Sequence, residues 1–462
     1  MTTVLPHRAA HQAAVDRLRE SYLAIPSDQP VRLAKSTTNL FRPRTGEAVA
    51  GLDVSGLDGV ISIDAAAGTA DVQGMCSYET LVAATLRHGL MPKVVPQLKT
   101  ITLGGAVTGL GIESSSFRNG LPHESVLELD VLTGSGEVLT ASPTEHPDLY
   151  AGFPNSYGSL GYAVRLRIAL DRVQPFVGLR HVRFSDLDEL AAAIGQISAE
   201  RSWQGEPVDF LDGVMFTPDE SYLTLGRWVS NPGQAGADRV SDYTGQQIYY
   251  RSVQQLPRDC LHVADYLWRW DTDWFWCSRA LGVQQPMVRR LWPARYRRSD
   301  VYRRLVGLDY RFGVSSKLDR LRRRPQHERV VQDVEIPLDR TAQFLRWFAA
   351  EVRMEPVWLC PLQLAADAAW PLYPLSPGES YVNVGFWGAV PIAAGRADGD
   401  VNRAIEAAVA EHGGHKSLYS DAYYSRDDFY RIYGGQQYQQ LKQTYDPEHR
   451  LTGLYEKAVG RR

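Results

Sequence analysis

Cysteine is scarce in this chain, with four residues in 462. Cys76, Cys260, Cys277 and Cys360 stand far apart, in neither a CxxC pair nor a ligand spacing. That argues against a disulfide scaffold and a cysteine-built metal site, and no metal is expected. Charge of one sign is lacking too: 50 basic side chains balance 53 acidic ones, for a formal charge of -3. No overall field draws the protein to nucleic acid, so none is expected as a partner. Long apolar runs are missing. Charged residues interrupt every apolar stretch of the N-terminus, MTTVLPHRAAHQAAVDRLRE, which therefore lacks the core of a secretion signal. Nowhere do about 18 apolar residues run together. The expectation is a reduced, cytoplasmic chain that spans no membrane but can lie against the inner face of one. Internal repeats and low-complexity tracts are absent as well.

What is present is enough apolar residue, 44%, to bury a large core in two or more domains. Residues 8 to 24 carry Ala10, Ala14, Leu18 and Leu23 at helical spacing, predicting an amphipathic opening helix that Pro26 ends. From Val31 to Leu170 short apolar runs alternate with Gly, Pro and Asp, predicting many short strands and one helix over Tyr78 to His88. A second α+β unit is predicted from about Gln174, with helices at Leu187 to Ile197 and Thr341 to Val352. Its strands are FLDGVMF, SYLTLGRWV, VVQDVEIPL, PVWLCPL and SYVNVGFWG, and an aromatic, Arg-rich insertion runs from Ile248 to Arg329. The last segment, from Ser417, is helical in its middle.

The densest signal is PQLKTITLGGAVTGLGIESSSFRNG, with Gly104, Gly105, Gly109 and Gly111 close together. Glycines this dense let backbone N–H groups approach a phosphate or a flat ring. The spacing is not GxGxxG, and no acidic residue follows at the distance of a dinucleotide fingerprint. The neighbours sharpen the reading: KSTTNLFRPR at Lys35 to Arg44, Pro96-Gln97-Leu98, and NSYGSLGYAVRLRI at Asn155 to Ile168. In order and spacing these segments resemble the FAD domain of the vanillyl-alcohol oxidase (PCMH) type. The resemblance implies an α+β protein: a two-part FAD-binding domain over 1–173, a substrate or cap domain over 174–416, and a C-terminal segment, 417–462, that returns to the flavin domain.

By the same resemblance Ser36, Thr37, Thr38 and Asn39 grip the pyrophosphate. Pro96, Gln97, Leu98, Thr102, Gly104, Gly105, Gly109, Gly111, Ile112, Ser114 and Ser115 run along the diphosphate and ring, while Gly158, Gly161 and Val164 meet the adenosine half. KSTTNL holds no His and ESSS no Cys at the positions where relatives attach the flavin, which implies non-covalent FAD. Where sugar-lactone oxidases carry His-Gly-Ser, this chain has Glu113-Ser114-Ser115-Ser116, which argues against a simple alcohol oxidase.

GLGIESSSFRNGL, VVQDVEIPL, PVWLCPLQL and LYSDAYYSRDDFY together resemble the Δ24-sterol reductase (seladin-type) branch, over Arg32 to Val459. Bacterial relatives of that branch reduce a 10-methylene fatty acyl chain to the 10-methyl chain, and the missing anchor helix places this sequence nearer to them. The 10-methylene lipid is therefore the first expectation, a Δ24 sterol the second, and a sugar or alcohol the third. A lipid-binding protein keeping FAD as a structural element is a non-enzymatic alternative. NADPH is implied as electron donor.

Both lipid substrates present an unactivated branched C=C, which needs an acid beside the ring before hydride can add. Glu113, at the end of the glycine segment, is one candidate, with a turn-capping carboxylate as the alternative. Tyr419, Asp421 and Tyr423 alternate, so a strand would put them on one face as further candidates, against ordinary packing. His415 reads chiefly as a loop histidine. YLWRWDTDWFWC at Tyr266 to Cys277 and the arginines from Arg289 to Arg304 suit peripheral contact with an anionic membrane, against a core of tryptophans with paired arginines. The absent attachment residues make one prediction immediate: acid or heat should release FAD intact, and flavin that stays on the denatured polypeptide would refute non-covalent binding.

Overall fold

The structure is a computed structural model that describes residues 4–34, 41, 51–237, 239–312 and 326–459. Ser36, Thr37, Thr38 and Asn39 lie outside the described residues. The opening helix forms over Val4–Leu23. It buries Ala14, Val15, Leu18 and Tyr22 against Leu52, Leu132, Val164 and Leu451.

The amino-terminal unit is built on an antiparallel sheet in the order Val60–Asp64, Thr69–Gln73, Gly161–Arg172, Val126–Thr133, Val138–Ala141, with Leu90–Pro92 paired to the far end of the long strand. Alternation explains that central strand. Leu166 and Ile168 are buried in the core, while Arg165 and Arg167 point the other way. Arg165 reaches Asp71 at 2.7 Å and Asp130 at 2.6 Å, and also pairs with Glu128. One guanidinium thus fixes the register of three adjacent strands.

The chain leaves this sheet after Arg172 and enters an eight-stranded one at Phe176. Its order is Arg258–His262, Phe176–Phe184, Glu220–Val229, Phe210–Thr217, Val357–Gln363, Ser380–Pro391, His327–Pro337, His415–Lys416. Helices Leu187–Glu200, Leu338–Glu351 and Asp400–Glu411 cover one face, packing on Leu211, Val330, Val334, Ile336, Val382 and Val384. The other face turns to the amino-terminal unit: Phe210, Trp358, Cys360, Leu362 and Tyr381 share a core with Leu103, Leu160 and Leu166. Both faces are covered, which is why these strands are largely apolar on both sides.

Two expectations are corrected. The tryptophan-rich segment is interior: Trp270, Trp274, Phe275 and Trp276 are at most 7% exposed. Their large area stabilises more when buried between the two units than at a water boundary. Arg289 is buried on Asp273 at 2.7 Å, and Arg297 caps the carbonyls of Thr244, Gly245 and Trp292. LYSDAYY is not a strand either. Among the described residues beyond Lys416 only Ser420 bridges, to Phe41, because the neighbouring strand ladder ends at His415–Lys416.

The closing helices Arg426–Ile432, Gly435–Tyr445 and Leu454–Ala458 pack on the amino-terminal unit. Buried Lys442 donates to the carbonyls of Ser159 (2.8 Å) and Leu451 (2.7 Å) and pairs with Asp446 at 2.5 Å, while Lys457 donates to the carbonyls of Tyr157 and Gly158. Removing one partner of a buried pair costs about 3–5 kcal/mol. Lys442→Met should therefore lower the thermal midpoint by several degrees, and Lys442→Met/Asp446→Asn should regain part of it. A midpoint unchanged in the single variant would remove this anchor from the account.

Candidate active site

The glycine segment folds into a short helix, Leu103–Thr108, whose N-cap Thr102 accepts from the Gly105 amide through Oγ1 at 3.2 Å. A Cβ on Gly104 would stand 2.7 Å from the Gly74 carbonyl oxygen, and one on Gly111 2.6 Å from the Pro122 ring and 2.8 Å from Pro96. On Gly109 it would meet the Gly105 carbonyl oxygen at 2.9 Å and the Tyr157 ring at 3.1 Å. The protein itself thus requires these three glycines. Gly105 differs: it is exposed, and its Cβ would touch only Thr102 Oγ1, at 2.8 Å. Further on, a Cβ on Gly158 would meet the Tyr162 ring and one on Gly161 the Val131 side chain. Ile112 and Val164 are buried side chains.

After the glycines the chain turns inward. Glu113 is 1% exposed. Its Oε1 accepts from the Ser115 amide at 2.8 Å, and its Oε2 accepts from Ser114 Oγ at 2.8 Å and from Gln97 Nε2 at 3.4 Å. Ser114 Oγ meets the Tyr266 hydroxyl at 2.6 Å, and Arg269 lies beyond. Arg269 pairs with Asp212 at 2.8 Å, both fully buried. The indoles of Trp270 and Trp358 donate to the same Asp212 oxygen at 3.0 and 3.2 Å. Burial pushes the Glu113 carboxyl up, opposed by Arg269 and by the hydrogen bonds from Ser114 and Ser115. Glu113 therefore closes a turn and joins the glycine segment to the eight-stranded sheet.

A second cluster occupies the facing side of that sheet. In His327–Pro337 the even-numbered residues meet the helices, while Asp333 and Glu335 point to the amino-terminal unit. Asp333 Oδ1 accepts from Asn383 Nδ2 at 2.8 Å, and the Tyr419 hydroxyl is near enough to act on the same carboxyl. Trp387 Nε1 donates to that hydroxyl at 2.9 Å. Across the strand pair sits Gly385, where a Cβ would stand 2.5 Å from Asp333 Oδ1. Burial raises Asp333 to about 6, against the lowering hydrogen bonds of Asn383 and Tyr419. Glu335, buried on Ser417 Oγ at 2.6 Å, is pushed well up, while burial holds His415 down to about 3. The two side chains lie 3.3 Å apart.

Of the sequence candidates, Tyr419 belongs to this cluster. The chain then turns away: the Tyr423 amide donates to Glu406 and its ring lies 4.9 Å from the Arg403 guanidinium, on the helix-covered face. Asp421 offers its carbonyl to Lys416. Asp333, Asn383 and Trp387 are absent from the sequence candidates. The available signal was two carboxylates at period two inside the apolar strand VVQDVEIPL.

Tyr419 also touches the amino-terminal unit. Its carbonyl accepts from the Phe41 amide at 2.9 Å, and Phe41 stacks on Trp274. Residues 8–142 match a family model described as an FAD binding domain. The N-terminal third of the chain is an FAD-binding domain. The chain is also 22% identical over 407 residues to "Delta(24)-sterol reductase" of Homo sapiens, covering 86% of this chain and 75% of that one. To the Arabidopsis thaliana protein of the same name it is 23% identical over 439 residues, covering 88% and 76%. A shorter stretch of 122 residues is 35% identical to "Cytokinin dehydrogenase 6" of Oryza sativa subsp. japonica, covering 26% of this chain and 23% of that one. The protein is an FAD-dependent oxidoreductase with an α+β fold of the PCMH type.

The residues present fit that cofactor. Buried polar atoms are paired as a rule. Among the described residues Gln97 Oε1 and Ser156 Oγ in the amino-terminal unit have no hydrogen-bond partner, nor do Asn383 Oδ1 in the eight-stranded sheet and Ser420 Oγ in the C-terminal segment. Each of the four is free to take a hydrogen bond from a polar group of the cofactor. Among the described residues no cluster of His, Cys, Asp or Glu could hold a metal ion, and no helix is long and apolar enough to cross a membrane.

The crowding around the glycines separates two variants. Gly105→Val should reduce FAD retention at least tenfold while costing the apoprotein about 1 kcal/mol, the worth of a perturbed cap. Gly104→Val should fail to fold. Flavin absorbance per protein and the apoprotein melt check both. Full flavin content in Gly105→Val would remove the exposed end of this helix from the cofactor site.

Proposed function

We propose that the protein reduces an unactivated, branched C=C bond in an apolar lipid, of the kind a Δ24-sterol side chain presents. The observation that carries this reading is the Asp333–Tyr419 pair, a buried acid on the cap face turned toward the FAD-binding domain. Bound FAD, once reduced, supplies the hydride, and NADPH is the proposed source of its electrons. The protein's own residues supply the rest. Asn383 and Gly385 hold the Asp333 carboxyl in place, and Trp387 orients the Tyr419 oxygen so that its proton points to Asp333. The Asp333 O–H bond breaks and its proton goes to the less substituted alkene carbon, leaving Asp333 as a carboxylate and the positive charge on the tertiary centre that accepts hydride. Phe41, Trp274, Phe275, Trp276 and Trp387 wall the site with carbon and exclude water from that centre. Solvent restores the proton after turnover.

Glu113, Tyr423 and Asp421 are less suited to that step. Both oxygens of Glu113 are engaged in the turn, and Tyr423 lies over the helices. The sequence alone ranks a 10-methylene acyl chain first. The similarity to Δ24-sterol reductases favours the sterol side chain instead, and the acyl chain becomes the second substrate to assay because it needs the same acid. A sugar or alcohol substrate finds little support in an aromatic wall.

The assay is anaerobic incubation of FAD-loaded protein with NADPH and either a Δ24 sterol or a 10-methylene phospholipid in deuterated water. The expected product gains two hydrogens, one of them deuterium. Loss of hydrogen from an alcohol, with neither alkene consumed, would overturn the reading. The pH profile follows from Asp333. A carboxyl raised to about 6 is protonated below that value, so alkene reduction should fall as pH rises through about 6. The other groups facing Asp333 and Tyr419 are Glu335, Tyr157, Tyr373 and Cys360. Burial raises Glu335, Tyr373 and Cys360. Asp333→Asn should slow alkene reduction by about 100-fold and flatten the profile while leaving flavin reduction by NADPH intact. An unchanged profile in that variant would take the acid role from Asp333.

A further inference from the structure

Five large apolar side chains are exposed among the described residues, and three fall in one short span: Met287 at 73%, Leu291 at 80% and Tyr296 at 44%. Met287 and Leu291 sit four residues apart on the helix Pro286–Leu291, hence on one face of it. Tyr296 ends the next turn, Ala294–Tyr296. The Trp292 indole donates to the Tyr296 carbonyl at 3.2 Å and holds the two turns together. This apex is what remains outside once the rest of the aromatic, basic insertion is buried.

The cations around it divide the same way. Arg289, Arg297 and Arg298 are held by internal carboxylates and carbonyls. Arg290 and Arg295 are exposed and have no carboxylate within ion-pair distance among the described residues. The Arg295 guanidinium lies 4.8 Å from the Tyr296 ring centroid, so a charge and an amphipathic aromatic share the apex with two aliphatic tips.

We propose that the 287–296 apex is a membrane-contact site for an anionic phospholipid surface. Met287, Leu291 and the Tyr296 ring enter the interface, and Arg290 and Arg295 meet the headgroup phosphates. Exposed apolar tips flanked by unpaired arginines match that surface in both hydrophobicity and charge. A second copy of this chain fits less well, since a two-fold contact through the apex brings Arg290 and Arg295 against their own copies. The apex is also the outer end of a continuous aromatic path. Trp292 packs on Tyr302 at 6.3 Å, in a cluster with Trp274 and Phe41, and Phe41 contacts Tyr419. A lipid substrate would thus reach the acid from the bilayer side, a corollary that rests on the proposed function.

The test uses the full, FAD-loaded chain and sedimentation with vesicles of saturated phosphatidylcholine, alone or mixed with saturated phosphatidylglycerol, neither of which holds an alkene. Wild type should co-sediment with the mixed vesicles. Met287→Ser/Leu291→Ser should weaken that partitioning at least tenfold at low and high salt, since two aliphatic side chains lose their burial. Arg290→Gln/Arg295→Gln should weaken it several-fold at low salt, with the difference shrinking at high salt. All these side chains are exposed, so thermal midpoints should match wild type. No wild-type binding to the mixed vesicles, or variants that bind as wild type does, would overturn the proposal. So would a wild-type dimer in light scattering that Met287→Ser/Leu291→Ser abolishes, which would give the face to a second copy. Vesicle binding by a protein that reduces no alkene would instead leave the apex standing and remove the proposed function.

Discussion

The structure turns on one buried positive charge. Arg269 is fully buried, and a guanidinium out of water is tolerated only where paired and hydrogen-bonded. Asp212 supplies the charge from the middle of the cap sheet, and Ser114 supplies an oxygen from the end of the glycine segment. The Tyr266 ring lies 3.9 Å from the same guanidinium. Satisfying Arg269 therefore forces the FAD-binding domain, the cap sheet and the aromatic insertion to meet at one place. Ser114 in turn fixes Glu113, and the Ser114 carbonyl accepts from the Leu211 amide at 2.7 Å, so the junction is pinned by backbone as well as charge.

Once that junction is closed, the neighbouring stretch of cap sheet has nowhere to face but the glycine segment. Its carboxylates are then desolvated, and their chemistry follows from burial rather than from opposite charges. Asp333 has amide and phenol neighbours but no cation among those that set its protonation, so burial raises it to about 6. The same burial raises Glu335 and lowers His415. An acid raised by burial in an apolar wall is what protonation of an unactivated alkene asks for.

Much of this was legible in the sequence. Short apolar runs marked the strands, and the glycine and PQL segments lie inside the residues that match the FAD binding domain, because such elements are specified locally. The helix at Thr341 to Val352 begins three residues earlier, at Leu338, a shift within ordinary end effects. What local pattern could not show was which carboxylates converge. Asp333 gains its meaning from Tyr419, 86 positions later in the chain, and Glu113 loses an open role because Ser115 lies two residues on and Tyr266 far away. The tryptophans misled for a related reason: their composition suits an interface, and only the tertiary fold reveals that the interface is internal.

The insertion therefore does two jobs in two layers. Its inner aromatic residues wall the space between the domains, and its outer tip keeps three apolar side chains and two arginines in the open. The claim on which the rest stands is that the flavin ring lies between the glycine segment and the Asp333–Tyr419 face. A crystal structure of the FAD-loaded protein tests it most directly. The account predicts the ring edge in contact with the Tyr419 side of the cap, with Gln97 and Ser156 bonded to the cofactor. A ring bound elsewhere, or separated from Tyr419 by a layer of protein, would contradict it.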